Sequence, residues 1–127
     1  MTDTPSETAF ILVVDDDPAV RQFSADALSH LGYGVHTADG AVSALRLLDS
    51  HPEIALMFTD VVMPQTNGRK LAQAAQILKP ALKVLFTSGY SGDVLAQNGA
   101  GEPGIDLLAK PFTIDQLDSR VKRALAR

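Results

Sequence analysis

The chain has 127 residues, of which 46% are hydrophobic and 20% charged, and its formal net charge is −4. This length suits one domain, and the negative charge argues against a nucleic-acid-binding surface, which needs clustered Lys and Arg. No cysteine is present, which excludes disulfides and thiolate chemistry. No apolar stretch approaches the roughly 20 residues of a membrane span. We therefore expect a soluble, cytoplasmic protein with a flexible tail over 1–9 and one domain over 10–127.

The first apolar run is ILVV at 11–14, and three aspartates follow it directly. Such a short run without polar alternation predicts a strand buried on both faces. Asp17 can then cap a helix that has Pro18 at its first position and ends at Gly32. The apolar stripe expected to face inward comprises Val20, Phe23, Ala27, Leu28 and Leu31.

A short second strand is predicted over 33–37, and Asp39 can cap a second helix that Pro52 ends. Its inward residues are predicted to be Val42, Leu45 and Leu48.

The third strand, ALMF at 55–58, leads through Thr59 to Asp60, and a loop then leads to a third helix. The inward face of that helix is predicted to carry Leu71, Ala74, Ala75 and Leu78. The fourth strand, VLF at 84–86, leads to Thr87.

Between Thr87 and Ile105 the sequence holds five glycines and a proline, so a full fourth helix is not expected. Glycines in this stretch fit the G-x-G-x-x-G spacing, but a dinucleotide site needs that motif between a first strand and its helix. A short or irregular helix within a loop is the better interpretation.

The last strand, LLA at 107–109, leads to Lys110. Thr113 and Gln116 have the spacing of a capping box that opens a final helix, with Ile114, Leu117, Val121 and Leu125 facing inward. Near its end lie four basic residues, which we expect to remain solvated and to complement the helix dipole. They are Arg120, Lys122, Arg123 and Arg127.

Alternation of strands and helices predicts an α/β fold with a parallel sheet. Ligands bind such sheets beyond the carboxyl ends of the strands, where Asp15, Asp16, Asp60, Thr87 and Lys110 would all converge. Carboxylates so close together require a cation, and all-oxygen ligands suit Mg²⁺ or Mn²⁺. A divalent ion beside an ammonium group favours phosphate, with Asp60 as an in-line nucleophile.

Four motifs in this order resemble the response-regulator receiver domains of bacterial two-component signalling. They are VVDDDP, TDVVMPQTNG, FTSGY and KPF, and the resemblance covers roughly residues 10–126. It implies a doubly wound, flavodoxin-like sheet of five parallel strands in the order 2-1-3-4-5. It also implies phosphoryl transfer from a histidine kinase or histidine phosphotransfer domain, and a change of surface that regulates an unidentified downstream protein.

Carried over by position, the resemblance makes Asp60 the phosphoacceptor, Thr87 the hydroxyl switch and Lys110 the partner of the phosphoryl group. Mg²⁺ would bind Asp15, Asp16, Asp60 and the Val62 carbonyl. The Lys110–Pro111 peptide is expected to be cis. Such a domain catalyses only its own phosphorylation and dephosphorylation and is not otherwise an enzyme.

The chain departs from many receivers where Leu107 replaces an aromatic switch residue, so we expect the output to depend on ordering of 88–104. The FTSGY variant is similar to receivers of hybrid histidine kinases and to stand-alone regulators. Val62 and Gly89, two residues after Asp60 and Thr87, cannot orient water, which predicts slow hydrolysis of the phosphoryl group.

Two other classes stay open at this stage. A haloacid-dehalogenase-like, Mg-dependent phosphatase also uses an aspartate nucleophile, but it needs that residue on its first strand. A pseudo-receiver would keep the fold as an interaction module without phosphorylation. Three histidines, His30, His36 and His51, have no carboxylate partner at ligand spacing, so we expect them to be ordinary surface residues.

Overall fold

The computed structural model describes residues 9–63, 66–88 and 106–126. Their elements, in chain order, are β1 (Phe10–Val14), α1 (Pro18–His30), β2 (Gly34–Ala38), α2 (Ala41–Ser50), β3 (Ile54–Asp60), β4 (Val62–Met63), β5 (Thr66–Asn67), α3 (Gly68–Leu78), β6 (Lys83–Ser88), β7 (Leu107–Ala109) and α4 (Ile114–Ala126). The expected tail, and the expected irregular helix between Thr87 and Ile105, lie almost wholly outside these ranges.

Five strands form the main sheet in the order β2-β1-β3-β6-β7, and every pairing in it is parallel. When the short antiparallel pair β4-β5 is set aside, this is the predicted order 2-1-3-4-5. The α/β fold class and the doubly wound topology are thereby confirmed.

Helices cover both faces of the sheet because alternate residues of a strand point to opposite sides. From β1, Leu12 and Val14 are buried in the core that includes residues of α2 and α3. Ile11 and Val13 are buried in the core that includes residues of α1 and α4. This two-sided burial explains why the sequence of the strand is continuously apolar. None of the helices in the described ranges has the length and apolar character that crossing a bilayer requires.

Two of the three predicted helix caps are confirmed. The Asp17 carboxylate accepts hydrogen bonds from the N–H groups of Ala19 and Val20, and Thr113 and Gln116 form the reciprocal capping box. The prediction for α2 was wrong, since Gly40 is the N-cap and makes no side-chain cap bond. The Asp39 carboxylate instead accepts the Ser43 hydroxyl at 2.9 Å.

Four apolar side chains expected to face inward are exposed instead. They are Phe23, Val42, Leu78 and Ile114, with exposed fractions of 46%, 67%, 52% and 39%. Helical periodicity predicted which side of each helix is buried, but not how far the buried surface extends. The width of that surface depends on the element that packs against the helix.

Arg120 is not simply solvated, which corrects another expectation. Its guanidinium donates to the Asp106 carboxylate at 2.9 Å and to the Leu107 carbonyl at 2.5 Å. Helix α4 is thereby tied to the entry of the edge strand β7. Lys122, in contrast, forms an exposed pair with Asp118 one turn away.

Candidate functional site

The polar residues at the strand ends do converge at the carboxyl edge of the sheet. Asp60 ends β3 and lies opposite Thr87 in the register of β6. The β6-β7 pairing brings Ala109, and therefore the next residue Lys110, beside Ser88. Asp15 follows β1, which pairs with β3. The parallel sheet thus brings together two aspartates, a hydroxyl and an amine from distant parts of the chain.

Lys110 bridges the two buried carboxylates of this edge. Its Nζ lies 3.0 Å from Oδ2 of Asp15 and 3.0 Å from Oδ2 of Asp60. Asp15 is 2% exposed and Asp60 is 5% exposed, so both charges depend on the protein for solvation. The Lys110–Pro111 peptide that follows is cis, as expected. One ammonium therefore partly compensates two buried negative charges.

The second oxygen of each carboxylate is fixed by a backbone N–H. The Asp17 N–H donates to Oδ1 of Asp15 at 2.9 Å, and the Val62 N–H donates to Oδ1 of Asp60 at 3.2 Å. The Arg21 guanidinium donates to the Asp15 carbonyl at 2.7 Å. Arg21 was missed by sequence reasoning, because no local pattern predicts a contact six residues along the chain.

Gly68 packs closely against the backbone of Asp60 and Val61. Its N–H donates to the Val61 carbonyl at 2.7 Å. A Cβ atom at this position would lie 2.3 Å from the Asp60 carbonyl oxygen, so no larger residue fits without movement of the strand end. Asn67 precedes it as the N-cap of α3 and accepts the Lys70 N–H.

Burial and the charge interactions at the site shift two pKa values upward. Burial raises the pKa of Asp60, and Asp15 adds to this, while Lys110 and the Val62 N–H lower it without cancelling the rise. Burial by itself lowers the pKa of Lys110, but its hydrogen bonds and charge interactions with Asp60 and Asp15 outweigh that effect and raise it. In the absence of a further cation, the folded protein therefore disfavours the charged form of Asp60.

Asp15, Asp16 and Asp60 form a group suited to a divalent metal. Each offers one carboxylate oxygen, and these oxygens lie within 4.8 Å of one another. In an octahedral Mg²⁺ site, with bonds of about 2.1 Å, opposite ligands lie about 4.2 Å apart, so a small adjustment brings the three oxygens around one ion. Asp16 is exposed, which leaves the group open to solvent. The three carboxylates therefore fit the predicted ion.

Thr87 lies at this edge but its hydroxyl is already engaged. The side chain is 2% exposed, and its Oγ1 donates to the Leu108 carbonyl of β7 at 2.7 Å. To donate to a group bound on Asp60, the hydroxyl would have to leave Leu108.

An apolar cleft adjoins Lys110. It is lined by α1 residues and by the segment after β7, namely Ala19, Val20, Phe23, Lys110, Pro111 and Phe112. The half-exposed Phe23 ring lies 5.9 Å from the ring of Phe112, which in turn packs edge-on against buried Phe58. The exposed apolar surface therefore continues directly into the core beneath the site.

The expectation that all three histidines lack a carboxylate partner was wrong for two of them. His36 Nε2 and His51 Nδ1 lie 3.2 Å and 3.3 Å from the same oxygen of Glu53. His30 is exposed in the last turn of α1.

Comparison with known proteins identifies the relatives of this chain. Residues 11–122 match the family described as the response regulator receiver domain. Sensor kinase CckA of Brucella abortus is 36% identical over 123 residues, which are 96% of this chain but 13% of that protein. Response regulator receiver protein CpdR of the same organism is 33% identical, with 91% of this chain and 95% of that protein covered. The chain therefore spans a small part of one relative and nearly all of the other.

Solved structures give the same result. The receiver domain of the hybrid histidine kinase CckA aligns with a TM-score of 0.77 and 34% identity, covering 92% of this chain and 99% of that one.

Proposed function

Because this chain belongs to the response regulator receiver domain family of two-component systems, we propose that Asp60 is its phosphoacceptor. In this proposal Asp60 takes a phosphoryl group from a phosphohistidine in a Mg²⁺-dependent reaction, and the altered surface regulates a downstream protein. The observation that carries the proposal is the Lys110 amine, 3.0 Å from both Asp15 and Asp60 at the open end of the sheet.

Each residue of the site would have a separate role in the phosphoryl transfer. One carboxylate oxygen of Asp60 attacks phosphorus, the P–N bond to the donor histidine breaks, and the imidazole leaves with the electron pair and takes up a proton. The product is an acyl phosphate on Asp60. Lys110 places a positive charge where the transferring oxygens gather negative charge. Thr87 would donate to one of these oxygens after releasing Leu108.

Asp15, Asp16, Asp60 and the Val62 carbonyl would hold Mg²⁺ (or Mn²⁺), which supplies charge neutralisation for the transferring phosphoryl group. The Asp17 N–H keeps the Asp15 carboxylate oriented toward this position. The raised pKa of Asp60 supports the proposal, because burial makes its charge costly in the absence of a further cation.

The protein would be no enzyme for other substrates, since its own carboxylate is the acceptor. Val62, two residues after Asp60, has an apolar side chain that cannot position water, which supports slow hydrolysis. Gly89, the other residue of that prediction, lies outside the described ranges.

The apolar cleft beside Lys110 supports docking of a histidine kinase or histidine phosphotransfer domain, in the cytoplasm. A phosphohistidine must come close to Asp60, and an exposed ring such as Phe23 is a typical anchor for a partner helix. Phe23→Ala should slow transfer from a phosphorylated histidine phosphotransfer domain while leaving the reaction with acetyl phosphate unchanged. Ile77→Ala, at an exposed position of α3, is the matched control.

Incubation with acetyl phosphate and Mg²⁺, followed by intact-mass measurement, tests the proposal. Wild type and Asp49→Asn should gain the mass of one phosphoryl group, whereas Asp60→Asn should not; Asp49 is an exposed aspartate of α2. Wild type that remains unmodified in excess acetyl phosphate and Mg²⁺ would indicate a pseudo-receiver. Sustained turnover of p-nitrophenyl phosphate would indicate a phosphatase.

A further inference from the structure

A second group of metal-ligating side chains lies at the end of the sheet remote from Asp60. His36 is in the edge strand β2, His51 follows α2, and Glu53 directly precedes β3. Strand β3 runs from Ile54 to Asp60, so Glu53 and Asp60 are separated by roughly 20 Å of extended chain. The group is therefore independent of the phosphoacceptor site.

Local structure holds the three side chains together. The Ile54 N–H donates to the His51 carbonyl at 3.2 Å, which closes a turn that carries both His51 and Glu53. The His36 ring stacks on His51 with centroids 4.3 Å apart and on Phe10 with centroids 5.8 Å apart. Two imidazole rings and one carboxylate thus lie close together. Because a nitrogen lone pair lies in the plane of its ring, at least one ring must rotate out of the stack for both to bind the same ion.

Two of the three separations between the ligand atoms are close to those around a tetrahedral ion. His36 Nε2 and His51 Nδ1 lie 3.2 Å and 3.3 Å from the same Glu53 oxygen. Ligands bound to Zn²⁺ at about 2.1 Å are about 3.4 Å apart along a tetrahedral edge. The 3.2 Å contact between His36 and Glu53 is also a hydrogen bond, which a bound ion would replace. All three ligand atoms lie within 4.8 Å of one another.

We propose that His36 Nε2, His51 Nδ1 and the Glu53 carboxylate bind a divalent transition-metal ion, preferentially Zn²⁺. The nitrogen and oxygen ligands favour this class of ion over Mg²⁺. Side-chain exposures of 23%, 36% and 39% allow the ion to enter and leave a fourth position for water. A bound metal ion would cross-link β2, the end of α2 and the start of β3.

Titration calorimetry of the full chain with Zn²⁺, in excess Mg²⁺ to occupy the acidic site, tests the proposal. Wild type and His30→Ala should bind one ion. His51→Gln and Glu53→Gln, which keep hydrogen-bonding capacity but are poor ligands, should bind at least about tenfold more weakly. Equal affinity in all four proteins would overturn the proposal.

Co²⁺ provides a readout that a merely structural role of these side chains would not change. Tetrahedral Co²⁺ bound by wild type should show intense visible absorption, and His36→Gln should abolish it. A weak octahedral spectrum in wild type would reject the site. Phosphorylation of Asp60 by acetyl phosphate should be unchanged in His51→Gln, so failure of the metal site and failure of the phosphoacceptor proposal are distinguishable.

Discussion

Lys110 Nζ lies 3.0 Å from the Asp60 carboxylate although 50 residues separate the two in the chain. The same amine is 3.0 Å from Asp15, so one cation serves two buried carboxylates. The arrangement that the proposed chemistry needs therefore costs the fold stability, because the site holds more negative charge than Lys110 neutralises.

Removal of Lys110 should destabilise the fold. Lys110→Met leaves Asp15 and Asp60 without their shared partner, and we expect a loss of roughly 2–4 kcal/mol in the free energy of unfolding without Mg²⁺. Because the pKa of Lys110 is raised from 10.5, its contribution is fully present below that pH and is lost as pH rises through the higher folded-state value. Urea denaturation at neutral pH measures the loss.

The control for this experiment is Lys122→Met, which removes the exposed pair with Asp118 and should cost about 0.5 kcal/mol or less. Saturating Mg²⁺ should recover part of the stability that Lys110→Met loses. Equal losses in the two variants would contradict the proposed electrostatic role.

Neutralisation of Asp60 should stabilise the fold. The pKa of Asp60 is raised in the folded state, so its ionisation opposes folding. Asp60→Asn should therefore raise the free energy of unfolding at pH 7. The advantage should shrink as pH falls through the folded-state pKa and vanish below the unfolded value of about 3.9.

Thermal unfolding of wild type and Asp60→Asn across pH, without divalent ions, measures this difference. A difference that grows as the solution becomes more acidic would have the wrong sign and would refute the account. Asp49→Asn, at an exposed position, should show no comparable trend.

Substitution of Gly68 should disturb the end of β3. In Gly68→Ala the new Cβ would meet the Asp60 carbonyl oxygen at 2.3 Å, so we expect about 1–3 kcal/mol of destabilisation and slower phosphorylation by acetyl phosphate. Gly40→Ala is the matched control, since a Cβ there has no neighbour within 4 Å. Chemical denaturation that ranks Gly40→Ala as the more damaging change would show that this contact is unimportant.

The hydroxyl of Thr87 should matter both before and after phosphorylation. Thr87→Val removes the donor to the Leu108 carbonyl and should cost about 1 kcal/mol, whereas Thr87→Ser retains the donor. Phosphorylated Thr87→Val should also lose the change in amide chemical shifts around Leu108 that we expect in wild type. Persistence of that change in the valine variant would exclude the hydroxyl as its cause.

The sequence was sufficient to predict features that depend on neighbouring residues or on the common direction of the strands in a parallel sheet. Asp60 ends an apolar strand, and Asp15 and Lys110 each follow one. Strands that run in one direction bring these ends to one edge of the sheet. The helix caps at Asp17 and Thr113 could also be predicted from the local sequence, since their hydrogen bonds join residues only two or three positions apart.

Contacts across the sheet were decided only by the tertiary structure. His36 reaches Glu53 because β2 is an edge strand next to the turn after α2, and no local spacing encodes that arrangement. Phe23 and Val42 lie within helical stripes yet are exposed, since the extent of burial depends on the opposing element. Sequence thus determined which groups stand at the strand ends, while packing over long distances decided which side chains meet.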